Sequence, residues 1–210
     1  MIWHSIRQLV RAGITSALVV TSTDHMGSIV NSLGSGKRFG CDFTYRVQEE
    51  AGGIAHALAL SREFAAGERI LVLLADNIFE HSIAPYVDEF REQKRGARVL
   101  LKEVGEPSRF GIAALDEKSI VEIEEKPSQP KSNYAVVGCY MYDEKVFDII
   151  DQTEPSARGE MEISTVNNIY VQRGEMEYSF VRGRWTDAGT FESLNEANSL
   201  LLSIGNQIRT

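Results

Sequence analysis

The sequence predicts an α/β domain with a mixed, mainly parallel sheet flanked by helices, and two features of the pattern indicate it. In the first half, short apolar runs such as "SALVVTS" and "RILVLL" alternate with amphipathic segments such as residues 2–10, which is the order of βα units. After Pro107, runs such as "SIVEIEE" and "NYAVVGCYMYD" are typical of strands joined by turns. We therefore expect the second half to be a mixed α+β extension of the parallel unit.

In the first half, the sequence predicts four helices that alternate with four strands. The opening helix ends near Gly13, and a helix beginning near Asp24 ends near "LGSGKRFG". The predicted strands are "SALVVTS", "DFTYRV", "RILVLL" and "ARVLLKEV", and the later helices are "GGIAHALALSREF" and "IAPYVDEFREQKRG". In the second half, helices near 161–173 and 190–204 flank "GRWTDAGT". No linker, repeat or low-complexity tract divides the chain, so we predict one domain over residues 1–210.

Composition excludes some classes of function. The chain has 210 residues, and its formal net charge of 22 − 30 = −8 argues against a nucleic-acid-binding surface. No apolar run reaches the length of a membrane span, and the first residues lack a signal-peptide pattern. Cys41 and Cys139 show no metal-ligand spacing. These observations predict a cytoplasmic protein.

Two aspartates are candidates for binding a metal ion. Asp76 follows the apolar run "ILVLLA", and the carboxyl ends of strands are where ligands bind in open α/β sheets. The alternative, a side chain that caps the turn at "DNIF", is about equally favoured from this stretch alone. Asp187 in "RWTDAGT", taken alone, is more typical of a helix-entry residue for the segment beginning at Thr190. If the two carboxylates met over one crevice, they would suit Mg²⁺.

Three further stretches carry polar groups at the ends of elements. Gln48 ends a strand and precedes the glycines that open a helix, where an amide could meet the edge of a nucleobase; a solvated glutamine at a glycine-rich helix entry is the alternative. Glu125 and Lys126 end "EIEEK" before a proline, and could bind sugar hydroxyls and a phosphate or form a charged hairpin end. Arg158 is a phosphate-type cation before a helix.

Together these segments resemble the glucose-1-phosphate thymidylyltransferases, which are sugar-nucleotide pyrophosphorylases of the Rossmann-like nucleotidyltransferase fold. The resemblance covers essentially the whole chain and runs in order through "FTYRVQEEAGGIAHAL", "LLADNIF", "RFGIA", "EIEEKPSQPKSNYAVVG", "SARGEMEIS" and "WTDAGT". Each motif alone is weak, whereas six in order are specific. A nucleotide-sugar glycosyltransferase is disfavoured because no clear Asp-x-Asp pair follows a strand.

The resemblance implies a reaction between a hexose 1-phosphate, such as glucose 1-phosphate, and dTTP or UTP, with Mg²⁺ as cofactor and pyrophosphate as second product. It also implies roles for particular positions. It implies that Gln48 and Gly53 bind the base, that Gly111, Glu125 and Lys126 bind the sugar phosphate, and that Gly138 is a further substrate-binding residue. It also implies that Asp76 and Asp187 bind the metal ion and that Asp76, Lys126 and Arg158 support catalysis. Family members are often homo-oligomers, but no segment of this sequence specifies an interface.

The resemblance also implies a difference at the start. Family members begin with a strand and a glycine-rich loop carrying an arginine, followed by a lysine, whereas "MIWHSIRQLVRAGI" corresponds to the first helix. We therefore expect the first central strand of the sheet to be absent and its neighbours to have unpaired edges. Two functions remain open, an enzyme of this lineage and a non-catalytic or truncated homologue that binds sugar phosphates or nucleotides. Ala75, Val137 and Thr165 depart from the residues common in the family at these positions.

Overall fold

The computed structural model describes the backbone of residues 1–207 and the side chains of residues 1–204. Its helices are α1 (Ile2–Arg11), α2 (Thr23–Leu33), α3 (Ile54–Ala59), α4 (Arg62–Ala65), α5 (Ala84–Glu92), α6 (Val146–Ile150), α7 (Ile163–Gln172) and α8 (Phe191–Gln207). Its strands are β1 (Ser16–Ser22), β2 (Asp42–Gln48), β3 (Ile70–Leu73), β4 (Ile78–Phe79), β5 (Ala97–Glu103), β6 (Gly111–Leu115), β7 (Ile120–Glu125), β8 (Tyr134–Tyr142), β9 (Met176–Phe180) and β10 (Trp185–Thr186).

The main sheet has six strands and is organised around β8. Its order is β7-β6-β8-β5-β9, and β3 also pairs with β8. The end of β8 is held from both sides, since Tyr142 is the register partner of Ile70 in β3 and of Ala97 in β5. The remaining strands form two smaller sheets, β1-β2 and β10-β4. The predicted α/β class with a mixed sheet and flanking helices is confirmed.

The expectation of mainly parallel pairing is wrong for the hydrogen-bonded ladders. Of the seven ladders found among the described residues, only β1–β2 and β5–β9 are parallel. The reason lies in β8, which runs opposite to β3, β5 and β6, and in the β6–β7 hairpin. Antiparallel strands can be joined by short turns, so the turn-rich second half supplies most of the antiparallel pairs.

Two strands of the described residues, β1 and β3, are each paired on one side only. Within residues 1–207, β1 hydrogen-bonds only to β2, and β3 hydrogen-bonds only to β8. All four residues of β3 are only partly buried, although they are the apolar run Ile70–Leu73. In β8, by contrast, every residue after Tyr134 is buried. β1 and β3 therefore each present one edge that no described strand covers.

Helices cover both faces of the main sheet, and β8 shows this in its sequence. Val136, Tyr140 and Tyr142 pack into a core with α3, α6 and α7. The intervening Val137, Cys139 and Met141 pack into a second core with α5. Because side chains alternate across a strand, a strand buried on both faces reads as a continuous apolar run, as "AVVGCYMY" does. Among the described helices, none combines the length and apolar character needed to cross a membrane.

Candidate active site

A cavity with about 190 Å³ of water-accessible space lies beside the residues that follow β3. Its lining comes from both halves of the chain, because β8 places the second-half strands next to β3. Seven of the nine residues to which the sequence gave a site role line this cavity. They are Asp76, Gly111, Glu125, Lys126, Gly138, Arg158 and Asp187.

Asp76 is held at the cavity by its neighbour in sequence. The amide of Asn77 donates to Asp76 Oδ1 at 2.8 Å. Asn77 is buried, and its own oxygen accepts from the backbone N–H of Gly138 at 2.8 Å and from the indole of Trp185 at 2.9 Å. No backbone N–H of the turn donates to Asp76 among the described hydrogen bonds, so the turn-cap alternative is not supported. The sequence analysis missed Asn77; the "DN" pair directly after a buried strand was its only signal.

Asp187 is brought to the same place by the pairing of β4 with β10. Ile78 is the register partner of Thr186, so the next position along the ladder sets Asp187 beside Asn77. Arg109 donates to both carboxylate oxygens of Asp187, at 3.3 and 3.4 Å. The start of α8 is capped by Thr190 and Ser193 instead, whose side chains bond to each other's backbone N–H. Asp187 therefore faces the cavity and is not the cap of the helix.

Asp76 and Asp187 are two carboxylates of this cavity that could bind a divalent ion together with a phosphorylated ligand. Within the described part of the chain, no group of three or more His, Cys, Asp or Glu side chains could hold a metal ion alone. Mg²⁺ usually binds through one or two carboxylates and takes its other ligands from water and substrate phosphates. Asp76 and Asp187, which line one cavity, are a donor set of that kind.

Glu125 and Lys126 place one negative and one positive group at the end of β7. None of the described hydrogen bonds or ion pairs involves either charged group. Burial raises the pKa of the Glu125 carboxyl, the nearby Glu162 carboxylate raises it further, and Lys126 and Arg158 oppose the change. Lys126 adopts a left-handed backbone conformation with φ 46°, which is unusual for a residue other than glycine and clusters at functional sites. Both groups are therefore available to a ligand.

Arg158 is positioned by acidic residues that lead into α7. Its guanidinium lies 3.3 Å from Glu162 and 3.7 Å from Glu160, and it remains about half exposed. Glu162 is the residue before the first turn of α7, and Ser156 donates to its carboxylate at 3.1 Å. The sequence analysis used "SARGEMEIS" only for Arg158 and missed Glu162. The available signal was an acidic residue at the entry of a helix.

Gln48 and Gly53 lie together, but neither lines the cavity. The Gln48 amide donates to the Gly53 carbonyl at 3.1 Å and lies 3.2 Å from Nδ1 of His56. Gly53 has φ +89°, and a Cβ there would come 2.6 Å from the carbonyl oxygen of Met161. The glycine is thus required by backbone packing between the start of α3 and the segment before α7. A role of either residue in base recognition stays a prediction.

Gly138 is required by the same cluster that holds Asp76. A Cβ at Gly138 would lie 2.6 Å from Asn77 Nδ2 and 2.8 Å from Leu74 Cδ1. We expect Gly138→Ala to destabilise the protein by about 1–3 kcal/mol, the usual range for overpacking a core. It should also lower affinity for substrates, since Asn77 must move. Chemical denaturation and calorimetry with glucose 1-phosphate measure the two effects. A matched control is Gly67→Ala, because a Cβ at Gly67 meets no atom within 4 Å and the change there introduces only backbone strain.

The chain is similar to known proteins over nearly its whole length. A family model described as nucleotidyl transferase matches residues 1–204. The glucose-1-phosphate thymidylyltransferase of Neisseria meningitidis is 38% identical over 210 residues, covering 98% of this chain and 73% of that protein. The enzyme of the same name from Xanthomonas campestris pv. campestris is 35% identical over 208 residues, covering 97% and 70%.

Solved structures show the same relationship. A Bacillus anthracis protein assigned as a glucose-1-phosphate thymidylyltransferase, solved in complex with sucrose, has a TM-score of 0.91 and 52% identity. That comparison covers 95% of this chain and 81% of the other. A UDP-glucose pyrophosphorylase in complex with UDP-glucose has a TM-score of 0.83 at 23% identity, and this likeness concerns the fold alone.

Proposed function

Because the chain belongs to the nucleotidyl transferase family of enzymes, we propose that it joins glucose 1-phosphate to dTTP or UTP, giving a nucleotide sugar and pyrophosphate. One observation carries the proposal. The cavity that holds Asp76 and Asp187 also holds a carboxylate and an ammonium, Glu125 and Lys126, neither of which has a partner among the described contacts. The hydroxyl groups of a sugar phosphate could donate to the Glu125 carboxylate, and its phosphate could bind the Lys126 ammonium.

The sugar half of the site is assigned to the end of β7. Sugar hydroxyls would donate to Glu125, a carboxylate that burial and Glu162 leave poorly stabilised. Lys126 would bind the sugar phosphate, and Arg158, already beside Glu160 and Glu162, would support it. At Gly111, a Cβ would lie 3.1 Å from the Glu125 carboxylate, so glycine there keeps the approach to that group open.

The phosphate half is assigned to the two aspartates. Asp76 and Asp187 would hold Mg²⁺ on the nucleotide phosphates, where the bound ion neutralises charge that develops on the phosphate oxygens. Asn77 fixes one oxygen of Asp76 and leaves the other for a ligand. Arg109 neutralises Asp187 and would separate from it, or share it, when a cation binds.

The chemistry requires positioning and charge neutralisation more than proton transfer. An oxygen of the sugar phosphate attacks the α-phosphorus of the nucleotide in line, the bond from that phosphorus to the bridging oxygen breaks, and pyrophosphate leaves. The attacking oxygen is already an anion, so no general base is needed. Lys126 and Arg158 would hold the attacking phosphate in place, and fixing two reactants in a productive geometry accounts for a large part of the rate of such reactions.

A pyrophosphate-release assay with glucose 1-phosphate and dTTP tests the proposal on this chain. We expect release that requires both substrates and Mg²⁺ and stops when EDTA is added. Calorimetry with each substrate alone should be run beside it. Binding of glucose 1-phosphate without any pyrophosphate release would contradict the enzymatic proposal and identify a sugar-phosphate-binding homologue. Replacing dTTP by UTP in the same assay identifies the preferred base.

The pKa of Glu125 gives a prediction for stability. A carboxyl group whose pKa is raised on folding binds a proton more readily in the folded state, so the free energy of unfolding falls as pH rises from the ordinary value through the raised one. Glu125→Gln removes the charge, and it should raise the thermal midpoint at about pH 8 relative to the unsubstituted protein and leave it nearly unchanged at about pH 4.

The same Glu125→Gln variant should bind glucose 1-phosphate more weakly, because an amide is a poorer acceptor for sugar hydroxyls than a carboxylate. Thermal melts across pH and calorimetry measure both properties. Glu124→Gln, at the neighbouring exposed position of β7, is the matched control. A midpoint that falls equally at both pH values would contradict the assigned burial cost.

A further inference from the structure

An unpaired polar group belongs to the wall of the cavity that we assign to the substrates. Among the described residues, two buried side-chain atoms lack a hydrogen-bond partner, Arg69 Nε and Asn167 Nδ2. Arg69 does not line the cavity, and its other two nitrogens donate to the backbone carbonyls of Phe90 and Arg91. Asn167, by contrast, lines the cavity and is only 1% exposed. A buried N–H group without a partner is costly and rare in native proteins, so the amide of Asn167 requires an explanation.

The orientation of the Asn167 amide follows from its contact with Tyr142. The Tyr142 hydroxyl is buried and donates to Asn167 Oδ1 at 2.6 Å. In the reverse orientation the amide would donate to the hydroxyl oxygen, and the hydroxyl proton and Oδ1 would both be without a partner among the described residues. Oδ1 is therefore the atom that bonds to the protein, and the N–H donors of Nδ2 are the ones left for another group.

The next residue in the sequence shows on which side of the cavity Asn167 lies. The side chain of Asn168 accepts from the backbone N–H of Ile123 at 2.8 Å and donates to the carbonyl of the same residue at 2.7 Å. These two bonds fasten α7 to β7 two residues before Glu125, and Ile123 itself lines the cavity. Asn167 is therefore on the side formed by α7 and β7, which is the half of the site assigned to the sugar.

A sugar hydroxyl is the ligand group that suits an unpaired amide at this place. A hydroxyl group donates one proton and accepts through its lone pairs, so the same sugar can donate to the Glu125 carboxylate and accept from Asn167. The phosphate of the ligand is better matched by Lys126 and Arg158, because hydrogen bonds between ionised groups are stronger than those of a neutral amide. The neutral donor is thus left for a neutral oxygen.

We propose that Asn167 donates a hydrogen bond from Nδ2 to one hydroxyl oxygen of the bound sugar and thereby selects sugar phosphates that carry this hydroxyl. The inference rests on the proposed function, because it requires a hexose 1-phosphate in the cavity. The terminal torsion of asparagine has broad minima, so a small rotation presents Nδ2 to the ligand while Oδ1 stays with Tyr142. A sugar without the hydroxyl leaves the buried N–H unpaired, and a site built to bond a substrate group discriminates strongly against analogues that lack it.

Calorimetry with glucose 1-phosphate and its monodeoxy analogues, each lacking a different hydroxyl, tests the proposal without any turnover. Asn167→Leu alone would leave the Tyr142 hydroxyl unpaired and could prevent folding. The donor is therefore removed in the double variant Tyr142→Phe/Asn167→Leu, because replacing both partners of a hydrogen bond by apolar groups can be nearly neutral for stability. Tyr142→Phe is the matched control, since it loses the same hydrogen bond and keeps Nδ2.

The proposal predicts a change of selectivity, which a purely structural role would not produce. In the unsubstituted protein and in Tyr142→Phe, we expect the analogue that lacks the hydroxyl bonded by Nδ2 to bind about tenfold or more weakly than glucose 1-phosphate. In the double variant this ratio should fall by about fivefold or more, and the ratios for the other analogues should stay the same. Thermal melts of both variants establish that each is folded.

Two outcomes would overturn the proposal, and they differ in what else they affect. If glucose 1-phosphate binds to the unsubstituted protein and every analogue shows the same ratio in Tyr142→Phe and in the double variant, Asn167 does not contact the sugar, and the proposed function is unaffected. If glucose 1-phosphate does not bind to the unsubstituted protein at all, the proposed function is wrong and the role of Asn167 is wrong with it.

Discussion

Replacing Asp187 by asparagine should lower the rate of pyrophosphate release by about a hundred- to a thousandfold, because a metal ion typically supplies several kcal/mol of charge stabilisation and each 1.36 kcal/mol is tenfold in rate. Asparagine keeps the size of the side chain and removes its charge. The ion pair with Arg109 is lost, but both side chains are partly exposed, at 20% and 32%, so stability should change by less than about 1 kcal/mol. Initial rates at saturating Mg²⁺ and thermal melts measure the two quantities.

The control for this change is Asp88→Asn. Asp88 is also a carboxylate paired with an arginine, Arg91, but it is 65% exposed on α5 and does not line the cavity. Its substitution should leave turnover unchanged. If Asp187→Asn retained the rate of the unsubstituted protein, the metal role proposed for this residue would be wrong. If instead it lost both rate and thermal stability, the role of Asp187 would be to anchor Arg109.

The order of elements could be predicted from the sequence because it depends on local pattern. The helix at 163–172 and the strand Tyr134–Tyr142 were placed correctly from periodicity and from a continuous apolar run. The direction of pairing could not be read in the same way. Nothing within "NYAVVGCYMYD" indicates that its neighbours in the sheet run opposite to it, since that depends on residues about 30 to 70 positions away.

The site was predictable where one side chain acts alone and not where a contact spans the chain. Asp76 was identified from its place after β3. Asn77 holds Asp76 and is itself bonded to Trp185, 108 residues away in the sequence. Neither segment alone contains a pattern that indicates this contact. The Arg109–Asp187 pair, 78 residues apart, was missed for the same reason. Gln48 is a different case, because its amide bonds to Gly53 in this structure and its role in base recognition stays a prediction.

Replacing Lys126 by methionine should reduce kcat/KM for glucose 1-phosphate by about ten- to two-hundredfold, since a hydrogen bond to a charged group contributes roughly 1.5–3 kcal/mol. Methionine keeps a long unbranched side chain and the same backbone strain, so the measured loss reports the removal of the ammonium group alone. Most of the loss should appear as a higher KM if the contact is equal in the ground and transition states, and as a lower kcat if it forms mainly during attack. Lys118→Met, at an exposed turn, is the matched control.

The left-handed conformation of Lys126 allows its functional and structural roles to be separated. Lys126→Gly removes the same ammonium but also relieves the strain at φ 46°, which costs a non-glycine residue roughly 1–2 kcal/mol. The glycine variant should therefore lose as much kcat/KM as the methionine variant while melting at a higher temperature than it. Such an outcome means that a strained lysine is retained at the end of β7 for its charge. Equal activity of Lys126→Met and the unsubstituted protein would contradict that conclusion and would leave Arg158 as the phosphate-binding cation of this cavity.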